Sequence, residues 1–260
     1  MAAFHTGLTS VTFRQKSAAQ IAALAAEAGL EGIEWGGDVH VPPGDAAAAA
    51  SAARLTREAG LRVTSYGSYY HALPQEDFAP VLRSAAALGA PVVRIWAGDR
   101  PWEQLSEAER ETLAASVRDD ARDAAREGIA LSFEYHRGTA TQTRAGALAL
   151  LEAVGEPNVR TYWQPNPDIT QEEQLAEIGC LLPHLSHIHV FTWTGANVRH
   201  PLAEGEARWR EYLSAVRRAG GSRFLLMEFV RDDSEADFLA DAAVLRRWAE
   251  EENGKGESRP

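Results

Sequence analysis

Eight times along 260 residues, a short apolar, β-branched or aromatic run gives way to a longer stretch rich in Ala, Arg and Glu. That alternation is the strongest constraint on what this chain can fold into. The runs predict strands near 5–10, 31–36, 62–68, 91–97, 129–136, 159–164, 185–192 and 223–230. The intervening stretches predict helices at about 17–29, 46–59, 77–89, 106–127, 141–154, 171–181, 206–219 and 233–251. Gly29, Gly60, Gly89, Gly128 and Gly220 stand where helix ends need a left-handed residue. Strand–helix repeats with short connections imply parallel strands, and eight of them imply closure. An open doubly wound sheet would carry a glycine-rich phosphate turn after its first strand, and neither GxGxxG nor GxxxxGK[ST] occurs. The expected architecture is one α/β domain, a single (β/α)8 TIM barrel over residues 1–251. Residues 252–260 read as a polar, disordered tail.

Composition removes several kinds of chemistry. The chain has only two lysines, Lys16 and Lys255, neither on a strand, so no Schiff-base nucleophile is available. A net charge of −11 opposes a nucleic-acid partner, whose phosphates are neutralised by Lys and Arg. No apolar run is long enough to span a bilayer, and no export segment opens the sequence. One cysteine, Cys180, fits a reducing cytoplasm. A homo-oligomer is compatible with all of this.

Four polar residues close four consecutive predicted strands: Glu134 in LSFEYH, Gln164 in VRTYWQP, His189 in SHIHVF and Glu228 in FLLMEF. In a parallel barrel such positions meet at one mouth, where this architecture keeps its chemistry. Two carboxylates there repel, share a proton or bind a cation. His189 suits first-row divalent metals, and the Gln164 amide oxygen serves either as a ligand or as a substrate contact. Glu134 has a structural alternative, an ion pair with Arg94 on the preceding strand. His187 lies deeper on the face of His189 and reads as packing.

Aromatic residues gather near the same end, among them Trp35, Trp96, Trp102, Trp163, Trp193, Tyr66, Tyr69, Tyr70 and Tyr135. Flat apolar faces beside polar groups suit a sugar ring, which makes Trp96, Trp193 and Tyr66 candidate substrate contacts. His136 shares the inward face of Glu134 by period-two alternation and is placed to orient a substrate hydroxyl. The loops after strands seven and eight contain Arg199 and Arg231 but no glycine-rich anion cradle, so the expected ligand is an unphosphorylated sugar or polyol.

Five segments resemble the xylose-isomerase-like barrels, the superfamily of sugar isomerases, 3-epimerases, inosose dehydratases and apurinic endonucleases, the last of which the acidic net charge opposes. They are AGLEGIEWGGDVH with Glu34, SFEYH with Glu134, IHVFTW with His189, MEF with Glu228, and RHPLAEGEARW with Arg199, Gly205 and Trp209. The resemblance implies a divalent cation held by Glu134, the residue at position 164, His189 and Glu228. It also implies that the two glutamates move protons and that Glu34 and Arg199 serve the substrate. The residue types do not discriminate among Mn, Mg, Co and Zn. Two positions depart from the family pattern: Gln164 stands in place of an aspartate, and Pro167 in place of a histidine. One anionic ligand fewer predicts weaker cation binding. The implied activity is isomerisation or epimerisation of a keto-sugar through an enediolate. The alternatives are dehydration through the same species, or sugar binding without catalysis.

Overall fold

The computed structural model describes residues 3–257. Eight parallel strands close in the order β1, β10, β7, β6, β5, β4, β3, β2. They are β1 Ala3–Thr9, β2 Gly32–Gly36, β3 Arg62–Gly67, β4 Val92–Ile95, β5 Ala130–Phe133, β6 Val159–Trp163, β7 Leu185–Val190 and β10 Ser222–Met227. A small antiparallel hairpin, β8 Thr192–Thr194 and β9 Val198–His200, is inserted after β7 where the sequence predicted only loop. The outer ring comprises α1 Ala18–Glu27, α2 Ala46–Glu58, α3 Ala79–Leu88, α4 Glu107–Arg126, α5 Arg144–Val154, α6 Gln171–Leu181, α7 Glu206–Val216 and α8 Glu235–Glu257. Three of these helices begin with a reciprocal capping box, at Ser17/Gln20, Ser106/Glu109 and Thr170/Glu173. Gly89 and Gly155 end theirs in the left-handed region.

Apolar side chains pointing outward from the strands fill the space beneath the helices. Trp35 and Trp163, expected among the mouth aromatics, belong to this layer. Trp35 Nε1 donates to Thr56 Oγ1 on α2 at 2.9 Å, and Trp163 packs edge-on against Tyr212 of α7 at 5.1 Å.

Tyr66 is a correction of the same kind. The pairing of β2 with β3 skips one residue, so that Ile33 faces Val63 but Glu34 faces Ser65. This bulge gives the inward position to Ser65 and turns Tyr66 outward, where its hydroxyl donates to Val41 O at 2.8 Å. Tyr66 is fully buried beneath the helices and cannot touch a ligand in the mouth.

The expected disordered tail is also corrected as far as Glu257, because α8 continues to that residue. Asn253 supplies the reason. Its Oδ1 accepts from Phe4 N at 2.8 Å and its Nδ2 donates to Phe4 O at 2.9 Å, clasping the last helix to the first strand. Glu252 is buried and paired with Lys255 and Arg217. Residues 258–260 lie outside the described residues.

Candidate metal centre

Glu134, Gln164 and Glu228 each stand one residue beyond the end of β5, β6 and β10, and His189 is the penultimate residue of β7. Their strands are neighbours in the barrel, so all four side chains enter one mouth. His189 Nδ1 lies 2.9 Å from Gln164 Oε1, 3.5 Å from Glu228 Oε2 and 3.7 Å from Glu134 Oε1. One ligating atom from each of Glu134, His189 and Glu228 falls within 4.8 Å of the other two, and all three residues are buried. Oxygen and nitrogen ligands about 2.0–2.2 Å from a common ion are themselves separated by roughly 3–4.5 Å. The donor set and its spacing therefore fit a divalent cation.

The other face of the imidazole meets Glu34, whose Oε1 is 3.3 Å from His189 Nε2. A carboxylate this close to the second ring nitrogen, though not aligned as a hydrogen-bond acceptor, holds the ring electrostatically with its first nitrogen toward the candidate cation site. Glu34 is correspondingly saturated. Its Oε2 accepts from Ser65 at 2.7 Å and from Tyr162 at 2.8 Å, and Arg94 Nε stands 3.5 Å from its Oε1. Burial alone would raise the Glu34 pKa, but the Arg94 guanidinium, followed by His189 and Ser65, holds it well below the usual carboxylate range. Glu34, expected from the family resemblance to serve the substrate, is thus a supporting group below the mouth.

Arg94 links Glu34 to the ligand layer. Its Nη1 pairs with Glu134 Oε2, which also accepts from Trp96 Nε1. The ion pair weighed against a ligand role for Glu134 does form, and it leaves the other oxygen directed at His189. Gly67, at the end of β3, makes the room. A Cβ there would lie 2.9 Å from Arg94 Nη2 and 3.0 Å from Glu34 Oε1.

Above the ligand layer the wall is built from loops. His136 stacks on Trp96 with ring centroids 4.5 Å apart. Its Nδ1 donates to Arg137 O at 2.6 Å, which leaves Nε2 as an acceptor, and burial lowers its pKa so that the ring is neutral at pH 7. Trp193 of the hairpin packs on Phe191 at 4.3 Å and Phe229 at 5.8 Å, and all three line the cavity. Phe229 has a φ of 51°, a strained value for an aromatic residue. It brings two consecutive side chains, Glu228 and Phe229, to the same cavity wall. Arg199 stands at the rim with its guanidinium 4.8 Å above the Phe229 ring, and it donates to Asp233 Oδ1 at 2.6 Å and Val230 O at 3.2 Å. Deeper in the barrel, His187 packs against Tyr162 and Phe224 as expected, and burial lowers its pKa to about 4.

The sequence reading missed Arg137, Gln142 and Asn166, which line the cavity from loops that carry no periodic signal. It also missed Tyr162 and Ser65, which alternation from Gln164 and pairing with Glu34 would have found.

A family model described as xylose isomerase-like TIM barrel matches residues 22–248. The chain belongs to that family. No curated protein sequence matches this member at a significant level. Among solved structures, a probable 3-DHS dehydratase from Bacillus anthracis superimposes with a TM-score of 0.78 at 20% identity, covering 95% of this chain and 99% of that one. An L-ribulose 3-epimerase gives 0.72 at 17% identity over 100% of both chains. A D-psicose 3-epimerase, crystallised in the presence of D-fructose, gives 0.68 at 18% identity over 94% and 99%. Likenesses this distant establish that the xylose isomerase-like barrel is shared. Among the described residues, no helix of this barrel is long and apolar enough to cross a membrane.

Proposed function

We propose that this xylose isomerase-like barrel is a divalent-metal-dependent isomerase or epimerase of an unphosphorylated keto-sugar or polyol. The observation that carries the proposal is the convergence of Glu134, His189 and Glu228 within 4.8 Å, with the Gln164 amide oxygen beside them. Glu134, Gln164, His189 and Glu228 would hold the cation, which would supply Lewis-acid stabilisation of the negative charge that develops when a proton leaves the carbon next to a carbonyl.

The side chains divide the remaining work. Glu228 is free of the guanidinium and indole donors that occupy Oε2 of Glu134. Glu228 is therefore assigned proton removal on one face, and Glu134, protonated on Oε1, delivery on the other. Glu228 then holds the proton taken from the substrate, Glu134 has given up its own, and solvent resets the pair. The Trp193, Phe191 and Phe229 rings exclude water and present apolar faces to the sugar. His136 Nε2 accepts a substrate hydroxyl proton.

Dehydration of a keto-polyol is the second reading, and His136 favours it. The neutral His136 imidazole, two residues from Glu134, adds a third group able to take up a proton at Nε2, which frees the glutamate that removes the first proton to deliver it to the departing hydroxyl. Similarity to a probable 3-DHS dehydratase agrees with this reading as well as the epimerase likeness agrees with the first.

The test begins with chelator-stripped protein titrated with Mn2+ in a calorimeter. The metal-saturated protein is then incubated in D2O with keto-sugars and keto-inositols. Deuterium entering next to the carbonyl identifies isomerase or epimerase chemistry, and an unsaturated product absorbing in the ultraviolet identifies dehydration. Absence of metal binding overturns the proposal. So does wild-type exchange in both Glu134→Gln and Glu228→Gln with metal saturating.

A further inference from the structure

Two amide side chains in the outer cavity wall have already committed their oxygens. Gln142 Oε1 accepts from Gly138 N at 2.8 Å. Asn166 Oδ1 accepts from Asp168 N at 3.0 Å. A backbone N–H facing each amide oxygen fixes the orientation of both amides, because a flipped amide would set donor against donor. Their NH2 groups are therefore the ends left for a ligand. Trp193 Nε1 is a third donor, buried and without a partner. Arg137 is the fourth. Its fork donates to Asp168 Oδ2 at 2.7 Å and Asn197 Oδ1 at 2.8 Å, which leaves three of a guanidinium's five N–H groups. All four residues line the cavity directly above Glu134 and Glu228.

We infer that this outer half recognises a carboxylate, so that the substrate is a keto-sugar acid or keto-polyol acid. The inference rests on the metal-centred reading above and names the substrate class for that same site. A hydroxyl brings one proton and two lone pairs, so a neutral polyol needs acceptors as well as donors around it. Beyond the ligand layer, the acceptors left on these side chains are His136 Nε2 and the second lone pair of the Gln142 and Asn166 oxygens, fewer than the N–H groups beside them. A carboxylate brings about four lone-pair sites and no proton, and Gln142, Asn166, Trp193 and Arg137 match it. A phosphate ester fits less well, because Asp168 already neutralises Arg137 and the donors that remain are uncharged. Near-neutral surroundings accept a monoanion more readily than a dianion.

The test uses Mn2+-loaded full-length protein and three probes on one carbon skeleton. These are 5-keto-D-gluconate, L-sorbose (the same molecule with the carboxylate reduced to a hydroxymethyl) and L-sorbose 6-phosphate. Calorimetry is expected to show the keto-acid binding at least about tenfold tighter than L-sorbose, the value of one well-made charged hydrogen bond. Gln142→Glu replaces a free donor by a like charge and is expected to abolish that preference. A metal titration without sugar accompanies each protein. Metal binding with equal affinity for the acid and L-sorbose, with tighter binding of L-sorbose or the phosphate, or with binding of none of the three, overturns the carboxylate assignment alone. A carboxylate preference that survives Gln142→Glu overturns it as well. Failure to bind metal overturns both this assignment and the reading it rests on.

Discussion

The two halves of the barrel mouth are built differently. The proposed ligand side chains come from β5, β6, β7 and β10, and three of the four sit just past the strand ends, where the backbone turns away and leaves them open to the cavity. The groups behind them come from β2, β3 and β4. Glu34, Ser65 and Arg94 lie within their strands, are almost fully buried and bond mainly to one another and to the ligands. One half keeps its oxygens and nitrogen turned to the cavity, and the other commits its polar atoms to one another, with Arg94 Nε in an ion pair to Glu34 but in no hydrogen bond. The contrast teaches that, in the proposed metal site, hold on a cation and rigidity of the surroundings fall to separate strands, so each can be disturbed without the other.

The hardest blow to that separation is Arg94→Met. It leaves Glu34 and Glu134 buried with no cation between them, and loss of one partner from a buried ion pair costs about 3–5 kcal/mol. Urea denaturation should show that loss in stability, and a near-wild-type midpoint would mean that the frame does not brace the barrel. Glu34→Gln is gentler, since it keeps the shape but weakens the hold on His189 Nε2. Supporting groups of this kind contribute about 10–100-fold in metal affinity. Calorimetric Mn2+ titration should register that drop, and unchanged affinity would erase the distinction between frame and ligands.

Gln164→Asp acts on the open half and in the opposite direction. A third anionic ligand should tighten the site by about tenfold. A chelator competition reads the change, and equal or weaker binding would remove Gln164 from the ligand set. The smallest effect lies behind the frame at Asp120 on α4, whose Oδ2 accepts from Tyr70 at 2.8 Å. Burial raises the Asp120 pKa from an ordinary 3.8 to about 6, with neighbouring aspartates adding to it. The folded protein then holds a proton that the unfolded chain releases, so this contribution is full below about pH 3.8 and is lost as pH rises through about 6. Asp120→Asn should raise stability at pH 8 by about 1 kcal/mol, discounted for partial exposure, and by little at about pH 3.5, below the unfolded pKa. Melting temperatures at the two pH values check this, and a gain of equal size at both would assign the effect to packing.

How much of this was legible in the sequence differs between the same two halves. Glu134, Gln164, His189 and Glu228 were visible because a polar residue ending an apolar run is costly without a purpose, and a parallel barrel sends every such ending to one side. Glu34 was visible as a residue but not in its role, because depth in a barrel depends on strand tilt and register. Tyr66 was misplaced by one inserted residue in β3, and a bulge leaves no mark in composition. Arg137, Gln142 and Asn166 were hidden for a different reason. Their positions come from loop geometry, and Gln142 and Asn166 serve by which end of an amide faces a neighbouring N–H.

The clasp between Asn253 and Phe4 joins residues 249 positions apart. During synthesis β1 is among the first segments made, yet both its barrel partner β10 and this clasp come from the final 40 or so residues of the described chain. One edge of β1 therefore has no barrel partner until β10 has been made. Closure of the ring ties the first strand to segments far along the chain, so a chain cut anywhere between β7 and β10 would leave β1 as an open sheet edge.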